Sequence, residues 1–143
     1  HFLKVHRFAQ IIGRAENLDE HTQFVLECAA LVHDIGIRPC QEKYGHCTGE
    51  LQEKEGPAFA RSLLREFDIP AEDIERVCYL VAHHHTYDNI DGMDYQILVE
   101  ADFLVNLYEE QSSKSAIEHT VERIFKTQKG KNICEIMFGL NKQ

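Results

Sequence analysis

Residues 28–36 read CAALVHDIG, an apolar helical run that ends in a histidine beside a carboxylate. Packing alone does not account for such a pair, because a buried polar group costs free energy unless it finds a partner. Consecutive helical residues point about 100° apart, yet both can reach an ion that lies beyond the helix end. His33 and Asp34 are therefore predicted metal ligands. The alternative is a satisfied core histidine followed by an aspartate that caps the loop.

Another carboxylate lies inside an apolar helical pattern. Asp102 comes four residues after Leu98 and three before Val105, so it shares their inward face. A buried carboxylate is costly unless it is paired or bound to a cation. Taken alone, Asp102 is more simply explained by a structural salt bridge or a helix-to-loop hydrogen bond. Together with His33 and Asp34, it favours a metal site.

Histidines occur at two further places where they could serve the same site. His83, His84 and His85 follow an apolar helix, and three successive residues fan around its axis, so at most two can face one ion. The alternative is a polar helix end with one packed ring. At the start of the chain, His1 and His6 both lie near the apolar stripe of the first helix. Periodicity does not choose between them.

Composition limits the classes of function. The chain has 143 residues, enough for one domain, with 43% hydrophobic and 27% charged residues. A net charge of −9 argues against a nucleic-acid partner, whereas a bound metal would still let the site hold a small phosphorylated substrate. No apolar run approaches the ~18 residues of a membrane span. The five scattered cysteines suggest reduced thiols and a cytoplasmic location. The first residue is not Met, so a preceding segment is expected.

Helical periodicity recurs along the chain and no segment alternates as a strand does, so the predicted fold class is all-α. Residues 35–56 are expected to form a long polar loop, with Pro57 opening the next helix because its missing N–H costs nothing there. A turn at Gly130 is expected to precede a short apolar tail. Residues 113–143 should complete the core or form an interface, and a homodimer is one expectation. The predicted helices cover approximately residues 1–15, 19–34, 57–67, 71–85, 95–109 and 116–125.

These motifs together resemble the HD-domain superfamily of metal-dependent phosphohydrolases. Residues 29–36, AALVHDIG, are similar to the family signature AALLHDIG. The opening HFLKV resembles the family's first histidine with a basic residue and Val, His83-His84 resembles a further histidine pair, and residues 100–102, EAD, resemble its closing motif. The resemblance covers residues 1 to about 108.

The resemblance implies a bundle of α-helices around a buried metal site. It implies His1, His33, Asp34 and Asp102 as metal ligands, and it favours His1 over His6. It also implies that His83 and His84 bind a second ion or face the scissile phosphate. Imidazole and carboxylate ligands suit Fe, Mn, Co, Ni or Zn, with Mg²⁺ also allowed. Asp34 is the expected bridging ligand, because a carboxylate has two oxygens.

The chain departs from the family pattern at two positions. Ile37 stands where many members have Lys, and Arg38 beside it is expected to take the phosphate-facing role. A histidine that many two-metal members have before the third helix is missing, and His46 is a substitute or an exposed residue. One ion is therefore expected, with a second left open. The Gly-Tyr-Pro extension of cyclic-di-nucleotide phosphodiesterases is also absent.

The predicted function is hydrolysis of a phosphate ester, in a nucleotide or another small metabolite, with Asp34, His83 and His84 as catalytic residues. Arg38, His83 and His84 are the expected substrate contacts. The main alternative is a non-catalytic regulatory domain that binds a metal and a nucleotide. A two-iron oxygenase and a purely structural helical protein are further alternatives, and the last does not explain Asp102.

Overall fold

The computed structural model describes residues 1–140, which form α-helices and no strand. The all-α prediction is confirmed. None of the described helices is long and apolar enough to cross a bilayer. The helices are α1 (Phe2–Ala15), α2 (Glu20–Val32), α3 (Ile37–Tyr44), α4 (Gly49–Leu64), α5 (Ala71–His83), α6 (Met93–Glu109), α7 (Lys114–Ile124) and α8 (Gln128–Phe138).

Helix α6 lies at the centre of the bundle. It packs against α1 and α2, α2 packs against α5, and α5 packs against α4. Ile97, Leu98 and Leu104 of α6 are fully buried, and the helix is apolar on most of its circumference, as expected for a helix surrounded by others. Helices α7 and α8 pack on each other and on α6. Any polar side chain that α6 directs into this core must therefore find a partner there.

The prediction of a long loop over residues 35–56 is wrong, because this segment contains α3 and the first half of α4. Thr48 begins α4, since its hydroxyl accepts a hydrogen bond from the Leu51 N–H at 3.1 Å. Pro57 does not open the helix but lies inside it. The segment is short of apolar residues at helical spacing, so periodicity gave no signal for these two helices.

Gly36 lets α4 approach the end of α2. A Cβ at Gly36 would lie 2.9 Å from the Gly56 Cα, closer than real side chains come to a backbone. Gly56 in turn lies beneath Val81 of α5. The glycine of the CAALVHDIG stretch therefore serves close packing, and that packing fixes the turn that carries His33 and Asp34.

The prediction of a chain-reversing turn at Gly130 is also wrong, because Gly130 lies in the first turn of α8. A Cβ there would overlap the carboxylate of Glu100. Glu100 is fully buried and accepts hydrogen bonds from the side-chain amide of Gln96, the backbone N–H groups of Lys126 and Thr127, and the Thr127 hydroxyl. This buried carboxylate joins α6 to the turn between α7 and α8.

Candidate metal centre

His33 lies at the end of α2 with a defined orientation. Its ring is fully buried, and Nδ1 lies 2.8 Å from the Ala30 carbonyl oxygen. Because a carbonyl only accepts hydrogen bonds, Nδ1 must carry a proton. The other ring nitrogen, Nε2, is then directed away from the helix, toward Asp34 and Asp102. The backbone of α2 thus selects the ring nitrogen that faces the carboxylates.

Four side chains converge at this point. His33 Nε2 lies 3.3 Å from Asp34 Oδ2 and 3.3 Å from Asp102 Oδ1. His1, immediately before α1, places its Nε2 3.3 Å from the same Asp34 oxygen and 3.1 Å from the same Asp102 oxygen. Two imidazole nitrogens therefore face two carboxylate oxygens. The four residues come from the start of α1, the end of α2 and the middle of α6.

Asp34 also faces a second group of side chains. Its Oδ1 lies 3.6 Å from Nε2 of His84, and the His84 Nδ1 lies 2.8 Å from the Val81 carbonyl oxygen. His84 is fully buried, and its Nε2 has no hydrogen-bond partner. Ligand atoms of Asp34, His84 and His85 lie close enough together to hold an ion. Asp34 therefore directs one oxygen at each group, the geometry expected of a bridging carboxylate.

The three successive histidines have different surroundings. The His83 ring stacks on Tyr79 with centroids 4.2 Å apart, and its Nδ1–H donates to the Tyr79 carbonyl at 2.7 Å. His83 thus lies outside both groups, whereas His84 and His85 join Asp34. Nε2 of His85 lies 3.1 Å from the side-chain oxygen of Gln52. The chain turns after His83, the last residue of α5, so the next two rings face the site.

The remaining candidates are placed apart from the four-residue cluster. His6 contacts Glu27 at 3.0 Å, so the structure brings His1 to the centre and not His6. His46 is exposed and lies 3.1 Å from the Tyr44 carbonyl. Arg38 is largely exposed; its Nε–H donates to Glu42 at 3.1 Å, and its side chain borders a groove next to Asp34.

Two carboxylates that sequence reasoning missed hold the histidines in place. Glu109 Oε1 lies 2.9 Å from Nδ1 of His1, and Lys4 contacts the other oxygen of the same carboxylate. Glu53 accepts the backbone N–H of His85 at 2.9 Å. Glu109 follows Asp102 by about two helical turns and so lies on the same face of the helix, and this spacing could have indicated it in the sequence. No such signal existed for Glu53, because α4 was not predicted there.

The carboxylates strongly perturb the neighbouring histidines. A hydrogen bond with Asp102 is the main reason that the pKa of His1 rises to about 9. Burial disfavours the charged form of His33, but the hydrogen bonds with Asp102 and Asp34 outweigh it and raise its pKa to about 10. Burial alone would raise the pKa values of both aspartates, yet their histidine neighbours hold them well below the usual range.

The donor set fits a divalent metal ion. Nδ1 of His33 and of His84 donates to a backbone carbonyl, so in the neutral form of either ring the Nε2 lone pair would face a carboxylate oxygen. Lone pairs at such distances repel each other unless a proton or a cation lies between them. Nε2 of His84 is a buried polar atom without a hydrogen-bond partner, and a bound cation would give it one. Backbone-oriented imidazoles with carboxylates are typical of transition-metal sites.

Comparisons with known proteins identify the family and the fold. The HD domain family profile matches residues 1–124. A comparison with curated proteins gave no match. A crystal structure described as a predicted HD superfamily hydrolase, from an uncultured Thermotogales bacterium, has a similar fold, with a TM-score of 0.68 and 23% sequence identity over 98% of this chain and 72% of that one. Because the family profile spans most of the sequence, including every residue of the centre, this chain belongs to the HD-domain family.

Proposed function

We propose that this protein is a phosphohydrolase that cleaves a phosphate ester of a small metabolite, nucleotides included. The convergence of His1, His33, Asp34 and Asp102 carries this proposal, because two oriented imidazoles face two carboxylates within 3.3 Å. These four residues would hold one divalent ion, with Fe, Mn, Co, Ni or Zn favoured by the mixture of nitrogen and oxygen ligands. When bound, such an ion lowers the pKa of a water molecule and polarises a phosphoryl oxygen.

The chain's own residues would supply the remaining functions. Asp34 would connect the four-residue cluster to His84, since its second oxygen, Oδ1, lies 3.6 Å from the His84 Nε2. That nitrogen has no hydrogen-bond partner, so it is available for a hydrogen bond with a phosphate oxygen. Arg38 would contact the substrate from the rim. His83 is the weaker candidate for a catalytic role, because its ring stacks on Tyr79.

A regulatory domain that binds a metal and a nucleotide is the second candidate. It is favoured by Ile37, which replaces a lysine of many relatives, and by the contact of His85 with Gln52, which occupies a ring nitrogen. Turnover separates the two candidates, because a regulatory domain binds without hydrolysis.

The test is release of phosphate from a panel of phosphate esters by protein loaded with each candidate metal. Asp34→Asn is the informative variant and His6→Asn the matched control, since His6 contacts Glu27 instead of the cluster. Hydrolysis by wild type and control, with a loss of at least about a hundredfold in Asp34→Asn, would support the proposal. Binding of nucleotides without hydrolysis of any ester would reject it.

A further inference from the structure

An apolar groove lies directly beside Asp34. Its volume is about 350 Å³, within the range of small-molecule sites. It lies between the start of α1, the end of α2, the start of α3 and the last turn of α4. The apolar side chains that line it are Phe2, Leu31, Val32, Ile35, Ile37 and Leu63.

The groove and the metal centre are continuous. Asp34 lines the groove and also lies within 3.3 Å of His1 and His33. Phe2 directly follows His1 in the sequence, and Ile35 directly follows Asp34. A molecule in the groove would therefore lie beside the cluster, where the reacting phosphate is expected.

The groove wall is exposed but apolar. Phe2 is 48% exposed, Leu31 41% and Leu63 37%, so three large apolar side chains from α1, α2 and α4 present carbon surface to solvent. Grouped exposed apolar residues are typical of binding sites. Asp34 and Arg38 are the polar residues of the lining. The wall therefore offers few hydrogen-bond partners for a sugar or a nucleobase.

The groove has one cationic side chain that can contact an anionic group. Arg38 borders the groove, and its Nε–H donates to Glu42 at 3.1 Å. A guanidinium carries four further N–H donors, which suit phosphate oxygens. Apart from Asp34, the other lining residues, Leu63 among them, are apolar. A phosphate near Asp34 and Arg38 with a carbon chain against the apolar lining matches both features.

We infer that the substrate is a phosphate monoester of a short apolar alcohol, aliphatic or aromatic, and that the alcohol part lies in this groove. The inference rests on the proposed function, and it excludes nucleotides from the substrates that the proposed function allows. In the reaction, a P–O bond forms to the oxygen of water and the ester P–O bond breaks. The apolar alcohol leaves with one proton from that water, and inorganic phosphate is the other product.

Binding can be tested without turnover. Ethyl-, butyl- and hexylphosphonate resist hydrolysis, and calorimetry would measure their affinity for metal-loaded protein. Full burial of a CH₂ group is worth about fourfold in affinity, and a half-open groove should give about twofold per group. Hexylphosphonate should thus bind roughly 16-fold more tightly than ethylphosphonate. Equal affinity across the series, or tighter binding of adenosine monophosphate than of hexylphosphonate, would overturn the inference.

A matched pair of variants separates the groove from general apolar binding. Leu63→Ala should reduce the 16-fold gain to about fivefold or less, whereas Ile136→Ala, at an exposed position on α8, should keep it. An unchanged gain in Leu63→Ala would overturn the inference. Hydrolysis of hexyl phosphate in preference to ethyl phosphate would support both proposals. A chain-length dependence of binding without hydrolysis of any ester would keep the groove assignment and reject the proposed phosphohydrolase.

Discussion

Metal binding should release about two protons at pH 7. In the metal-free protein His1 has a pKa of about 9 and His33 of about 10, so both rings are imidazolium ions at neutral pH. A metal needs the lone pair of each Nε2, and each ring must therefore lose one proton. Asp34 and Asp102 add none, because their pKa values are lowered and they are already ionised at pH 7.

The pH dependence follows from the same values. Below about pH 9 both histidines must be deprotonated, so apparent metal affinity should rise about a hundredfold per pH unit. Between about pH 9 and pH 10 only His33 remains protonated, and the slope should fall to about tenfold per unit. With ordinary histidine pKa values near 6.5, affinity would already be flat above pH 7.

Calorimetry in two buffers that differ in ionisation enthalpy counts the released protons directly. Wild type should release about two at pH 7, and His6→Ala should release the same number because His6 contacts Glu27 outside the cluster. Release of no proton at pH 7, with tight metal binding, would refute the assignment of His1 and His33 as carboxylate-paired ligands.

Three further outcomes are expected. Glu109→Gln should weaken metal affinity about tenfold, because it loses the carboxylate that orients His1, whereas Lys4→Gln should change it less than about threefold in the same titration. Gly130→Ala should lower the free energy of unfolding in urea by about 2 kcal/mol, because its methyl group meets the Glu100 carboxylate; an unchanged midpoint would contradict this. Metal-free protein should lose thermal stability steadily from about pH 7 to pH 10. The pKa of His33 is about 10 in the folded protein and 6.5 in the unfolded chain, so protonation of His33 stabilises the fold fully below pH 6.5, and this contribution is lost as the pH rises through 10. A melting temperature that does not change over this range would count against the prediction.

The convergence of the four side chains was largely predictable because they carry local signals. His33 and Asp34 end an apolar helix, and Asp102 interrupts an apolar face, so each is conspicuous in the sequence itself. His1 and His6 carry equal signals by periodicity, and the family resemblance favoured the one that the structure brings to the cluster. Family resemblance and buried polar residues thus gave complementary information.

What could not be predicted depends on the path of the chain between helices. Three successive histidines point in three directions, and only the turn after His83 determines that His84 and His85 face Asp34. Helices α3 and α4 have few apolar residues at helical spacing, and close packing of Gly36 on Gly56 positions them. The apolar groove combines side chains from several helices, so no single segment could have indicated it.

Elemental analysis of the purified protein tests the central claim most directly. Wild type, Asp34→Ala and His6→Ala would be purified side by side, with circular dichroism to confirm that each is folded. We expect about one equivalent of a divalent transition metal in wild type and His6→Ala, and none in Asp34→Ala. Two equivalents of iron would favour oxygenase chemistry over the proposed reaction. Wild type that contains no metal even after reconstitution, or Asp34→Ala that retains a full equivalent, would contradict the account.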